Sequence, residues 1–357
     1  MRIDLTDVTA VLKAGHRFAV VVSHGEIGAE FSQPGRYPTI TVHPESRIVL
    51  PLVGGGFGGV HSLAFDAISA PALESAPGSG LYIDPVFEVS LAHDGLVYGQ
   101  AVNVDGVLQD LVLNVYRPVG SHPDDTAFES ANRPVIVWAP GGGFVYNRGR
   151  TRTYWMLDLV RRGYVVVSIE YRVRPNMPYA FSGFLANPEA FVDLFEAARD
   201  GQYDMQAAVR WVRRYARTLG IDENRIVAAG YSAGAIMALA TAFNSNDPGT
   251  SGNPGYPSDV VAAISGAGFY VPGKQGTIDP GEPPIMVLHG TNDQSLPVPG
   301  SLIPCAATQA VGNVCEAHLF LGEPHDVGDY RPDEMLAFSV DFLYRHVIAP
   351  AQPLPSI

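Results

Sequence analysis

An α/β fold with a mostly parallel central sheet, preceded by a small β module, is what this sequence predicts, and three observations carry it. Beyond Val135, short β-branched runs alternate with longer segments of helical period. The runs themselves, such as Val165 to Glu170, are nearly unbroken apolar stretches, the pattern of strands covered on both faces by helices. Hydrophobic residues make up 46% of the 357 and charged residues 17%, enough to fill a large core.

Taken in order, residues 1–65 read as the small β module. Apolar runs at Phe18 to Val22, Thr39 to Val42 and Ile48 to Val53 are separated by Gly25, Gly28, Pro34, Gly35 and Pro44. Residues 66–80, DAISAPALESAPGSG, lack hydrophobic periodicity and read as a linker. Residues 81–357 form the large domain. It opens with an antiparallel pair, Val97 to Val104 and Leu108 to Tyr116, joined by the turn signal Asp105-Gly106. Strands are then expected at Val135 to Ala139, Val165 to Glu170, Arg225 to Ala229, Val260 to Ile264, Ile285 to Leu288 and Ala317 to Leu321. Helices are expected at Trp155 to Arg162, Met205 to Thr218, Ala233 to Phe243 and Glu334 to His346. Residues 189–201 interrupt this spacing and read as an excursion, either a cap over a site or a surface extension.

The net charge of −13 argues against nucleic acid or an anionic membrane as a partner, because phosphate surfaces recruit clustered Lys and Arg. Lys13 and Lys274 are the only lysines, and the pairs Arg161-Arg162 and Arg213-Arg214 fall on expected helix faces. No apolar run reaches the length of a membrane span. At the N-terminus Arg2 is followed by Asp4 and Asp7, and Phe18 to Val22 is too short for a secretory core, so the compartment is left open between cytoplasm and export. Cys305 and Cys315, ten residues apart in a loop-like segment, are either a disulfide or two thiols. No ligand cluster accompanies them, so neither a metal nor a cofactor is expected.

The sharpest motif is Gly230-Tyr231-Ser232-Ala233-Gly234, between an expected strand and a helix rich in small residues. A serine on such a turn is held in strained backbone geometry, and glycines two positions away on either side relieve the crowding. A serine hydroxyl needs a base to take its proton. His325, after the last expected strand, fits that role, with His16 and His289 as competitors. Asp293, in His289-Gly290-Thr291-Asn292-Asp293, leaves the preceding strand and is placed to orient an imidazole. Pro140-Gly141-Gly142-Gly143-Phe144 follows a central strand, where backbone N–H groups of Gly142 and Gly143, with that of Ala233, are candidates to hold an oxyanion. A second triple glycine, Gly54-Gly55-Gly56, lacks that context.

At these residues the chain from about Val97 onward, roughly 260 residues, resembles the carboxylesterase-type α/β-hydrolases, including the hormone-sensitive-lipase-like bacterial esterases. Glu170-Tyr171-Arg172, the helix at Ala207 to Val212 and Gly220-Ile221-Asp222 add to the likeness. The resemblance implies a serine carboxylesterase acting on small esters through Ser232, His325 and Asp293, with short acyl chains favoured because no long apolar lid is evident. That family commonly carries histidine where this chain has Pro140, which puts the shape of the oxyanion loop in question. Leu5, Leu12 to Arg17 and Ile48 to Pro51 resemble the end of the jelly-roll domain of cocaine-esterase-like and X-Pro dipeptidyl-peptidase-like hydrolases; an unrelated β meander is the alternative. A prolyl-oligopeptidase-like peptidase and a non-catalytic binding protein of the same fold are the competing functional readings.

A partial β module lowers its free energy by pairing its strand edges, either with the large domain of the same chain or with a second subunit, and a homodimer formed through residues 1–65 is the favoured expectation. Deleting residues 1–75 is therefore expected to give a monomer or an aggregation-prone protein, with Ser232 still labelled by a fluorophosphonate. Size-exclusion chromatography and labelling of the truncated chain check this; unchanged oligomeric state, solubility and thermal stability would refute it.

Overall fold

The computed structural model describes residues 80–120, 132–146, 155–178, 190–270 and 277–351. The expected β module, its jelly-roll likeness, and all but the last residue of the linker lie outside them.

Eight strands form one sheet among the described residues, in the order β1-β2-β4-β3-β5-β6-β7-β8. They are β1 Glu88–Val102, β2 Leu108–Val119, β3 Arg133–Ala139, β4 Val165–Ile169, β5 Ile221–Tyr231, β6 Ala262–Gly266, β7 Ile285–Gly290 and β8 Cys315–Phe320. The β1–β2 and β2–β4 pairs are antiparallel, and every later pairing is parallel. Burial follows from this arrangement. Every residue of β3, β4, β6 and β7 is buried, as unbroken apolar runs demand, whereas β1 on the edge has nine of its 15 residues exposed. At the β1–β2 turn the Asn103 side chain accepts the N–H groups of Asp105 and Val107, both at 3.0 Å, and Gly106 takes a positive φ of 77°.

The helices are α1 Met156–Val160, α2 Ala190–Arg214, α3 Ala216–Leu219, α4 Ala233–Phe243, α5 Pro299–Ala310, α6 Val327–Tyr330 and α7 Pro332–Leu343. Two sequence expectations are corrected here. Residues 190–201 are not an excursion but the first half of the 25-residue α2. Its buried face there is Ala190, Leu194, Ala197, Ala198 and Gly201, a correct helical period written in small residues that carry little hydrophobic signal. Gly201 lets α2 approach α4 closely, since a Cβ there would lie 2.8 Å from Met237 Cγ. The cysteines, read as lying in a loop, sit on regular elements: Cys305 in α5 and Cys315 at the first position of β8, joined as a disulfide with Cα atoms 5.4 Å apart. Pro299 opens the helix, where proline is tolerated, Pro304 lies inside it at the cost of one backbone hydrogen bond, and Gly312 marks the turn that follows.

Arg172, just past β4, ties three parts of the domain together. Its backbone N–H and guanidinium both bond the Asp204 carboxylate of α2, at 2.8–3.1 Å, while Nη1 reaches the Val102 carbonyl of β1. Ser251 Oγ donates to the same carboxylate at 2.7 Å, and Tyr98 Oη donates to the Glu170 carbonyl at 2.6 Å. Asp204 is fully buried, and burial outweighs Arg172 in setting its proton affinity, so its pKa is raised. Removing one partner of a buried ion pair strands the other's charge. Asp204→Ala is expected to cost about 3–5 kcal/mol of stability, measured as a fall in the urea midpoint.

Candidate active site

Ser232 sits between β5 and α4 with φ 53° and ψ −117°, a region that side-chain-bearing residues rarely occupy. The flanking glycines are explained by close approach. A Cβ on Gly234 would lie 2.0 Å from the Ala139 carbonyl oxygen of β3, and one on Gly230 would lie 2.2 Å from the Gly234 backbone. Neither position admits a side chain. The Ser232 N–H donates to the Gly266 carbonyl at 2.7 Å, which fixes the turn against β6.

His325 lies in the loop after β8. Its Nε2 is 3.0 Å from Ser232 Oγ and its Nδ1 is 2.7 Å from Asp293 Oδ2. The structure thus brings together all three residues named from the sequence. Asp293, in the loop after β7, has a fully buried carboxylate. Its Oδ1 accepts the N–H groups of Ser295 and Leu296, both at 2.8 Å. Burial pushes its pKa up, but hydrogen bonds from His289 and His325, the imidazole charge of His325 and the Leu296 N–H together hold it well below the usual carboxylate range.

The glycine loop shows a division of labour. Gly143 and Ala233 line the pocket beside Ser232, together with Phe144, Leu194, Ile236, Phe269 and Leu296. Gly142 also turns the loop: its carbonyl accepts the N–H groups of Val145 and Tyr146, and a Cβ on it would lie 2.0 Å from the Tyr146 carbonyl oxygen. The Ala233 N–H belongs to the first turn of α4, where backbone donors have no partner within the helix. At Pro140, the departure from the family pattern, the carbonyl accepts the Tyr171 hydroxyl at 2.9 Å, so a residue from the end of β4 supports the loop.

Two contributors escaped the sequence reading. Tyr231, the variable position of the serine motif, donates its hydroxyl to the His325 carbonyl at 2.5 Å and accepts the Gly328 N–H at 3.2 Å, clamping the histidine loop. An aromatic hydroxyl next to the motif serine was the available signal. His289, read as a rival base, instead lies against Asp293, 2.9 Å from Oδ2. His16 lies outside the described residues. Glu323, two residues before His325, pairs with Arg331.

Residues 104–249 match the carboxylesterase family. An eight-stranded, mostly parallel sheet carrying a strained serine between strand and helix accompanies that match. The fold is the α/β-hydrolase fold. Among solved structures, esterase 2 of Thermogutta terrifontis phosphorylated by paraoxon superposes with a TM-score of 0.55 at 25% identity, over 71% of this chain and 94% of that one. Among curated relatives, this chain is 36% identical over 104 residues to the fumonisin B1 esterase of Sphingopyxis macrogoltabida, covering 29% of this chain and 18% of the relative. It is 33% identical over 131 residues to the para-nitrobenzyl esterase of Bacillus subtilis (strain 168), covering 36% and 24%. Against the esterase LipQ of Mycobacterium tuberculosis the figures are 30% over 138 residues, 38% and 28%. These matches span well under two thirds of each relative's length. Among the described residues, no helix is long and apolar enough to cross a membrane.

The lowered pKa of Asp293 has a consequence for stability. An unfolded aspartate titrates near 3.9, so the folded state binds this proton less tightly than the unfolded one. The group stabilises the fold above about pH 4 and loses that contribution as pH falls from there towards its folded pKa. Asp293→Asn removes the effect. The difference in unfolding free energy between wild type and Asp293→Asn, measured by urea denaturation, is expected to shrink between pH 7 and pH 3.

Proposed function

We propose that this chain hydrolyses carboxylic esters through an acyl-enzyme intermediate. The observation that carries the reading is the unbroken hydrogen-bond path from Ser232 Oγ to His325, 3.0 Å, and on to Asp293, 2.7 Å, at a serine held in elbow geometry. Ser232 Oγ forms a bond to the ester carbonyl carbon while its proton passes to His325 Nε2. The Asp293 carboxylate holds the Nδ1–H tautomer and stabilises the imidazolium that results. The carbonyl oxygen, now anionic, is held by N–H groups of Gly142, Gly143 and Ala233, of which Gly143 and Ala233 face the pocket. The carbon–oxygen bond to the alcohol then breaks and His325 returns the proton to the leaving oxygen. A water molecule, deprotonated by the same imidazole, attacks the acyl-serine and releases the acid.

Short acyl groups suit the pocket. Leu194 of α2, Phe269 and Leu296 line the pocket with Ser232, and bulky apolar walls of this kind support the short-chain reading. The family match and the esterase names of the relatives support the same chemistry.

Purified protein is expected to hydrolyse p-nitrophenyl acetate and butyrate faster than the laurate ester. Ser232→Ala should lose roughly 10³-fold or more of kcat. Full activity in that variant would overturn the assignment, and a preference for laurate would overturn the chain-length reading alone.

A further inference from the structure

His289 is the second-last residue of β7 and is fully buried. Its Nε2 lies 2.8 Å from the Leu296 carbonyl oxygen and 2.9 Å from Asp293 Oδ2. Both are acceptors, the carboxylate being ionised, so Nε2 carries a proton shared between them. Nδ1 lies 2.6 Å from Ser301 Oγ in α5, and that hydroxyl donates to the Gly268 carbonyl at 2.5 Å. One imidazole therefore joins Asp293 to Leu296, to the first turn of α5, and to the residue preceding Phe269, and Leu296 and Phe269 both line the pocket.

A carboxylate offers about four lone-pair positions. At Asp293 two are met by backbone N–H groups on Oδ1, one by His325 on Oδ2, and the fourth faces His289. The two backbone donors belong to residues 295 and 296, and the carbonyl of Leu296 is itself bonded to His289. Removing the Nε2 donor thus frees both the second contact on Oδ2 and the turn that supplies the contacts on Oδ1. His325 alone would then have to orient the group meant to orient it.

We propose that His289 is a positioning residue for Asp293: its Nε2–H fixes the carboxylate and the 293–296 turn, so that His325 is held on line with Ser232. This rests on the ester-hydrolysis reading of the Ser232–His325–Asp293 path. It concerns a residue that touches neither substrate nor the reacting serine.

Two substitutions separate the two ring nitrogens. In His289→Gln the amide nitrogen reaches the Nε2 position and keeps the donor to Asp293; in His289→Asn the shorter amide reaches only the Nδ1 position and keeps the Ser301 contact. With p-nitrophenyl butyrate, H289Q is expected to retain kcat within about threefold, while H289N loses roughly 10- to 100-fold in kcat with KM changed less than about threefold. The low-field proton NMR resonance of the His325–Asp293 bond should move in H289N and stay near its wild-type position in H289Q. In an Asp293→Asn background, H289N should cost less than about threefold further, because its effect runs through the carboxylate. Equal losses in both variants, wild-type kcat in a folded H289N, additive losses in the Asp293→Asn background, or failure of both variants to fold would overturn the proposal and leave His289 a packing residue. Ser232→Ala, assayed in parallel, distinguishes this failure from that of the triad, since an active Ser232→Ala removes the path that His289 is proposed to support.

Discussion

The contact between the first turn of α4 and the carbonyl of Ala139 governs the site. Because Gly234 has no Cβ, the helix start presses directly on the end of β3, and Gly230 allows the strand to turn back beneath it. The backbone at Ser232 is forced to a positive φ in consequence, at a cost of about 1–3 kcal/mol. That cost is offset by the helix itself, in which every residue from Ala233 to Phe243 is buried against the sheet and α2. The serine projects from the turn because the chain on either side has nowhere else to go, and the free N–H groups of the first helical turn lie beside its oxygen.

The remaining parts of the site are held by groups outside the elements that carry them. Tyr171 braces the glycine loop through the Pro140 carbonyl, and Tyr231 braces the histidine loop through the carbonyl of His325. In both cases a rigid ring spans from a strand end to a loop backbone, so the loop is located by a hydrogen bond to its main chain and its side chains stay available. Arg172, next to Tyr171, extends the bracing to β1 and α2 through Asp204. The glycine loop is thereby coupled to the helix whose Leu194 lines the pocket.

The parallel strands were legible because they are buried on both faces and so contain little but apolar residues; β3, β6 and β7 were readable to within two residues. Ser232, Asp293 and His325 were legible because chain order and strand context constrain them, even though the family match ends at residue 249, before the last two. The first half of α2 was not, since alanine and glycine at the buried positions leave the helical period without contrast. The helical setting of Cys305 was hidden by Pro304, a residue that a helix interior seldom holds. Tyr231 and His289 act through contacts made across strands, Tyr231 to a loop 94 residues on, and no local pattern encodes such a partner. A buried histidine reads alike as base, rival or brace until its neighbours are known.

The register of the sheet explains why a loop clamp is needed at all. In parallel strands all C-terminal ends open on one edge, and here Tyr231 pairs with Gly266, Gly266 with Leu288, and Gly290 with Phe320, so the serine, the acid and the histidine leave the sheet on the same side. Adjacent strands stand about 4.8 Å apart, which puts β8 roughly 14 Å from β5. An imidazole on a side chain leaving β8 directly falls far short of Ser232. The chain from Leu321 to His325 must therefore travel back over β7, passing the Asp293 turn on the way, and arrive above β5 with its ring pointing down. Gly322 at φ 76° permits the reversal, and Tyr231, which neighbours the nucleophile on β5 itself, holds the far end of the loop by its backbone. The distance between Ser232 and His325 is thus set by a residue one position from the serine, which makes the two ends of the proton path parts of a single local unit despite the 93 residues between them.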